Sequence, residues 1–211
     1  FELEDEIPFD VDSAVLEGKI LSFNGNTAEV MTSAVIKENV SRFLDKLRSS
    51  GIEPTVLSSE GFALATLFVI FHDAPPERKP VVTMSEEDEQ SQRSMHAVLH
   101  LGHTRSLLCI FEDSVLMSIR SFFWGGQRIA ETLARKYQMP YLEALKVFQT
   151  KAFLLLSREG ATQDQIVFSN TIGTVLDELV SELRISLLEI RGDLRCQIQA
   201  IGIVGGTSQI I

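Results

Sequence analysis

The sequence predicts a mixed α/β protein, and three observations support this prediction. Two pairs of apolar runs are joined by tight polar turns, which is typical of β-hairpins. Several other segments repeat apolar residues at helical spacing, and the last apolar run ends in paired glycines. Residues 72–93 break this pattern with prolines and a run of acidic residues. We therefore predict a first lobe at 1–71, a mobile linker at 72–93 and a second lobe at 94–211, with a long loop inside one lobe as the alternative.

The first lobe is predicted to be a small βαβ-type subdomain followed by a return helix. Asn24-Gly25-Asn26 is a strong hairpin turn signal, and Gly51 is a typical helix end. In chain order, the predicted elements are a strand, a strand, a helix, a strand and a buried helix: Val15–Phe23, Thr27–Ala34, Ile36–Ser50, Ile52–Leu57 and Phe62–Phe71.

The second lobe is predicted to be larger, with hairpins followed by helices and a final buried strand. The turns in this lobe contain Gly102, Gly125-Gly126 and Gly205-Gly206. In chain order, the predicted elements are three strands, three helices and a strand: Met95–Leu101, Leu107–Phe111, Val115–Phe123, Arg128–Tyr137, Pro140–Gln149, Thr171–Ile190 and Ile198–Val204.

Composition narrows the classes of function. The 211 residues are 45% hydrophobic, which is enough for a sizeable core, and the formal net charge is −10. Such an acidic chain lacks the basic face that general nucleic-acid binding needs, so we expect no nucleic acid as partner. Cys109 and Cys196 each lie in an apolar run, which predicts two buried, unlinked thiols. No apolar run reaches the roughly 18 residues of a membrane helix, and the chain's ends suggest a piece of a longer protein.

The most informative stretch is the turn His100-Leu101-Gly102-His103-Thr104-Arg105-Ser106 between two apolar runs. Its backbone N–H groups, two hydroxyls and the Arg105 guanidinium are suitable donors for an anion. A plain hairpin turn whose polar residues face water is the alternative.

Several stretches together resemble the PilM/GspL family, whose members also resemble the cell-division protein FtsA. Phe1–Asp10 resembles the family's YELEELIPF segment, and Glu38–Phe62 resembles its helix, glycine turn and strand. His100–Ser106 lies at the second phosphate motif, Phe123–Gln127 resembles the IGGN turn, and Val204–Thr207 resembles the SGGG adenosine turn. The resemblance implies a truncated actin-like, or ribonuclease H-like, ATPase fold whose first phosphate motif would precede Phe1.

The resemblance also implies a vestigial nucleotide site without catalysis. Actin-like ATPases read Asp-Ile-Gly-x-x-x-Thr at this turn, and His100 replaces the Asp that would hold a metal ion or the attacking water. Because neutral imidazole is a poor Mg²⁺ ligand, we expect no enzyme activity and assign no catalytic residue. No cofactor is assigned to this chain, and ATP stays an option for the intact protein. The implied nucleotide- and phosphate-binding residues are Gly102, His103, Thr104, Arg105, Ser106, Gly205, Gly206 and Thr207.

Other candidate sites have plainer explanations. His96, His100 and His103 cluster in the sequence and could bind zinc, but no Cys or carboxylate lies at a helpful spacing. We therefore predict no metal site. The glycine pairs equally suit tight structural turns, and Trp124 is expected to be a core aromatic rather than a partner anchor.

The lost acid favours GspL of type II secretion over PilM. On this interpretation, the chain is a scaffold domain at the cytoplasmic face of the bacterial inner membrane, which docks the secretion ATPase and inner-membrane platform proteins. A second copy of the chain is a further partner, and the membrane would be reached only through segments outside this chain. The alternative is the type IV pilus assembly protein PilM, which would bind ATP and the N-terminal tail of its membrane partner. An active sugar kinase or Hsp70-like ATPase would need a catalytic carboxylate, and no matching motif supplies one.

Overall fold

The computed structural model describes residues 7–23, 25–26, 28–71 and 93–210, and the chain divides into two compact units, Phe1–Phe71 and His72–Ile211. The predicted linker, apart from residue 93, and the first six residues of the family-like segment lie outside the described residues.

The first unit begins with an antiparallel hairpin of β1 (Ala14–Phe23) and β2 (Ala28–Ile36). Helix α1 (Lys37–Ser49) follows β2 directly, and helix α2 (Glu60–Phe71) completes the unit. Gly51 ends α1 as predicted, because its φ of +77° is unstrained only for glycine. This conformation lets the Ile52 N–H reach back to the Leu47 carbonyl at 2.9 Å.

Two predictions for this unit are wrong. The strand predicted at Ile52–Leu57 is absent, since residues 52–59, all described, form no strand and are exposed. Pro54 cannot donate to a strand ladder, and the unit's described sheet contains β1 and β2 alone. Helix α2 is not the buried helix expected from its apolar sequence, because Leu67 is 50% exposed. A helix that is apolar on every side is buried only if neighbours cover every side, and the described part of this unit does not provide them.

The second unit is built on a four-stranded sheet with strand order β5-β4-β3-β6. Strands β3 (Arg93–Leu101), β4 (Ser106–Glu112) and β5 (Val115–Phe122) form an antiparallel meander, and β6 (Cys196–Val204) pairs parallel with β3.

Three helices connect β5 to β6: α3 (Gly126–Tyr137), α4 (Tyr141–Lys151) and α5 (Gln163–Leu194). Helix α5 begins well before the predicted Thr171, because Thr162 and Gln165 cap its first turn reciprocally. No helix among the described residues is both long and apolar enough to span a membrane.

The core of this unit is centred on β4, where Leu107–Phe111 are all buried. Cys109 and Cys196 are buried and unlinked, which confirms the prediction for both thiols. The prediction that β6 is a buried strand is wrong, because Ile201 and Ile203 are 43% and 48% exposed. Strand β6 lies at the edge of the described sheet, so only one side of it has a strand neighbour.

Candidate functional site

Three glycine-containing turns meet at one end of the second unit's sheet. They are the β3–β4 loop Gly102–Arg105, the turn Trp124–Gly126 between β5 and α3, and the turn Gly205–Thr207 after β6. The strand register explains this convergence, because His100 pairs with Val204 and Ser106 pairs with Phe122. The fold therefore places the two predicted halves of the nucleotide site, 102–106 and 205–207, next to each other.

Backbone carbonyls of the hairpin loop hold the three turns together. The Gly102 carbonyl accepts hydrogen bonds from the Gly126 N–H at 3.0 Å and from the Thr207 hydroxyl at 2.8 Å. The His103 carbonyl accepts a third bond, from the Gln127 N–H, at 2.8 Å. Each turn thus fixes the position of the next one.

Two of the predicted phosphate-binding hydroxyls serve the protein's own backbone. Ser106 is fully buried and its hydroxyl donates to the Trp124 carbonyl at 2.8 Å. Thr207 is 5% exposed and donates to the Gly102 carbonyl. Trp124 is fully buried, as predicted, and its indole N–H donates to the Val175 carbonyl of α5 at 3.0 Å.

Close backbone packing explains why one position of each glycine pair has no room for a side chain. A Cβ added at Gly125 would lie 2.3 Å from the His103 carbonyl oxygen, and one added at Gly205 would lie 2.5 Å from the Leu101 carbonyl oxygen. Gly205 also has a φ of +101°, a conformation that favours glycine. These glycines are required by the contacts between the turns, whether or not a nucleotide approaches them.

The tip of the hairpin loop is the part that stays open to a ligand. His103, Thr104 and Arg105 are exposed, and no described residue accepts a hydrogen bond from the N–H of His103 or Thr104. The Arg105 carbonyl accepts from the Gly102 N–H at 3.2 Å, which closes the loop. The Tyr141 hydroxyl lies 3.2 Å from Nε2 of His103 and ties the loop to the first turn of α4. Two N–H groups without an acceptor among the described residues, followed directly in the sequence by an exposed arginine, are suited to an anion.

The described residues contain no group of three or more His, Cys, Asp or Glu side chains placed to hold a metal ion. His96 is exposed on β3, whereas His100 is half-buried. The loop 100–106 contains no carboxylate, so it lacks the acidic oxygen ligand that usually holds Mg²⁺ in proteins.

Sequence reasoning did not identify Tyr141 as part of this site. Tyr141 contacts His103 from a helix that begins far along the chain, and the sequence around it carries no nucleotide motif. No local signal could have linked these two residues, because their proximity depends on how α4 packs in the unit.

Comparison with known proteins adds a family match and similar solved structures. The model of a family described as type IV pilus assembly protein PilM matches residues 1–153. A comparison with curated proteins finds no match. The structure of a PilM-PilN type IV pilus biogenesis complex has a TM-score of 0.71 and 23% identity, and covers 99% of this chain and 54% of that chain.

Two structures of MreB5 from Spiroplasma citri are also similar. The ADP-bound form has a TM-score of 0.53 and 15% identity, and covers 83% of this chain and 56% of that chain. The AMPPNP-bound form has a TM-score of 0.51 and 16% identity, over 83% and 55% of the two chains. The chain therefore spans about half of the length of the structures it matches. These similarities confirm the predicted actin-like fold class.

Proposed function

Because this chain belongs to the family of type IV pilus assembly protein PilM, we propose that it is an actin-like scaffold for pilus assembly. This is the alternative of the sequence analysis, and the family match favours it over the GspL interpretation. The secretion ATPase has no support among the comparisons. The matched PilM structure is a complex with PilN, and we extend that partnership to this chain, at the cytoplasmic face of the inner membrane.

The exposed apolar surface of the first unit's hairpin carries the partner-binding part of this proposal. Ile20 and Phe23 are 65% and 68% exposed on β1, and the register places them on the same face of the hairpin. A hairpin with open edges and exposed apolar side chains is suited to a peptide that adds a strand or lies in a groove. The N-terminal tail of a PilN-type protein is the segment that we expect there.

Charge introduced on this hairpin should weaken partner binding strongly. We expect the double variant Ile20→Glu, Phe23→Glu of the full protein to bind a labelled PilN-type N-terminal peptide at least about ten-fold more weakly, since desolvated carboxylates are costly in an apolar contact. Fluorescence anisotropy measures the affinity. Phe123→Glu is the matched control, because Phe123 is 80% exposed in the second unit. Unchanged binding in the hairpin variant with loss in the control would assign the docking surface to the second unit.

We further propose that the hairpin loop tip contacts a nucleotide phosphate without hydrolysis. The N–H groups of His103 and Thr104, which have no acceptor among the described residues, support anion binding, and the absence of a carboxylate at position 100 argues against turnover. Titration of the full protein with a fluorescent ATP analogue should show binding that Arg105→Glu weakens. Phosphate release should stay at background. Steady release that Arg105→Glu abolishes would contradict this part of the proposal.

A further inference from the structure

An apolar groove in the second unit lies outside the three turns. It is formed by the end of α3, by α4, by the segment that follows α4 and by the first turns of α5. Its volume is about 530 Å³, and it is lined by Tyr137, Met139, Val147, Phe153, Asp164, Gln165, Val167 and Phe168. Six of these residues are aliphatic or aromatic, so the groove is suited to apolar side chains.

The aromatic wall of the groove is held in place by its own contacts. The ring of Phe168 packs near those of Phe153 and Tyr137, with centroid distances of 5.3 Å and 6.2 Å. The Ser169 hydroxyl accepts a hydrogen bond from the Leu155 N–H at 2.8 Å, which fixes the segment after α4 against α5. A groove whose wall is already ordered loses little conformational entropy when a ligand enters it.

The charge at the groove is negative. Asp164 is its one charged lining residue and is exposed in the first turn of α5. The Gln165 side chain is already engaged in the helix cap, where its oxygen accepts from the Thr162 N–H at 2.9 Å. Leu156, three residues after Phe153 on the same segment, is fully exposed. An aromatic, Met-containing surface with one free carboxylate complements an apolar side chain that has a cation beside it.

We propose that this groove binds a peptide segment of a partner protein, which inserts apolar side chains between Val147 and Phe168 and places a Lys or Arg beside Asp164. An open groove fits an extended or helical segment better than a compact small molecule. The site is distinct from the first unit's hairpin and from the loop tip, so it stands or fails independently of the proposed functions of those two surfaces.

A panel of synthetic peptides tests this inference on the full protein. Each twelve-residue peptide carries Leu and Phe one helical turn apart, and the panel varies the adjoining residue among Lys, Gln and Glu. Affinity is measured by fluorescence anisotropy, and the Met139 methyl resonance in a spectrum of methyl-labelled methionines reports contact at the groove. We expect the Lys peptide to bind most tightly and to shift the Met139 signal.

Two variants and one matched control separate the groove from general charge effects. Asp164→Asn should weaken binding of the Lys peptide about five-fold and leave the Gln peptide unchanged, because only the ion pair is lost. Asp164→Lys should make the Glu peptide the tightest ligand. Asp177→Asn removes an exposed carboxylate of the same helix outside the groove and should change neither affinity. The proposal is overturned if no peptide binds, if Asp164→Asn and Asp177→Asn act equally, or if binding leaves the Met139 signal unmoved.

Discussion

The two units use apolar residues in opposite ways. In the second unit, Leu108 and Ile110 of β4 are fully buried, because β4 has a strand on each side and helices complete the unit. In the first unit, Ile20 and Phe23 of β1 are mostly exposed, although their sequence is equally strand-like. An apolar run thus indicates a strand in both places, but the number of neighbours decides whether that strand forms a core or a surface.

The glycine-containing turns of the two units also differ in how many neighbours they have. In the first unit, an added Cβ at Gly25 or Gly51 would meet nothing within 4 Å. In the second unit, Gly125 and Gly205 are pressed against carbonyl oxygens of other segments. Gly25 and Gly51 are therefore needed for local backbone conformation, whereas Gly125 and Gly205 are also needed for contacts between distant parts of the chain.

The largest effect that this comparison predicts is at Gly125. Gly125→Ala would drive a Cβ into the His103 backbone, which cannot move without breaking the loop, so we expect the free energy of unfolding to fall by about 4 kcal/mol. Gly51→Ala in the first unit should cost only about 1 kcal/mol, the strain of a positive φ. The single tryptophan, Trp124, reports unfolding of the second unit, and amide exchange reports that of the first.

Gly173→Ala is the control for the comparison of Gly125→Ala with Gly51→Ala. Gly173 lies within α5 with open space around its Cβ position, so alanine should stabilise the helix by about 0.5–1 kcal/mol. Equal destabilisation by Gly125→Ala and Gly51→Ala would show that the contact between the turns contributes nothing beyond backbone conformation.

Truncation of equivalent strand residues tests the difference in burial. Leu108→Ala should lower the free energy of unfolding of the second unit by about 3 kcal/mol, because it leaves a cavity in a closed core. Ile20→Ala should change the stability of the first unit by less than about 0.5 kcal/mol. Urea denaturation followed by tryptophan fluorescence and by amide exchange of β1 measures the two effects. A loss at Ile20 as large as that at Leu108 would mean that β1 belongs to a core.

Local signals were sufficient to predict the turns and most of the elements. Gly25 and Gly51 act within a few residues, so their structural consequences can be predicted from the sequence. The strand predicted at Ile52–Leu57 failed because a strand needs a partner, and the sequence does not state whether one is present. The burial predicted for β6 failed for a related reason, since strand order depends on the whole chain.

The sequence predicted which residues form the candidate site, but not the contacts that these residues make. The hairpin loop and the Gly205-Gly206 turn were identified from a family resemblance, and the structure brings them together. The engagement of Ser106 and Thr207 with backbone carbonyls could not be predicted, because it depends on a third turn at Trp124–Gly126. Long-range contacts of this kind have no counterpart in sequence spacing.

We expect an intermediate loss of stability when the buried Trp124 is replaced. Trp124→Phe removes the indole donor to the Val175 carbonyl and leaves a space in the core where the larger ring was packed, which should cost about 2 kcal/mol. Its sequence neighbour Phe123 is 80% exposed, so Phe123→Leu should have an effect below about 0.5 kcal/mol. Thermal unfolding followed by circular dichroism compares both variants with the parent protein. If Phe123→Leu is the more destabilising change, Phe123 is packed in solution.

The smallest effect concerns one ion pair in each unit. Arg128 of α3 and Glu178 of α5 approach within 2.7 Å and connect two helices, with side chains 45% and 54% exposed. Arg42 and Glu38 also approach within 2.7 Å, but within α1 and with side chains 60% and 79% exposed. Double-mutant cycles to alanine should give about 0.5–1 kcal/mol for the first pair and about 0.3–0.5 kcal/mol for the second, because water screens the more exposed charges better. Both coupling energies should shrink in about 1 M salt. A larger coupling within α1 than between α3 and α5 would show that helix geometry, rather than burial, sets the strength of these pairs, and the contrast between the units would then not extend to their charged surfaces.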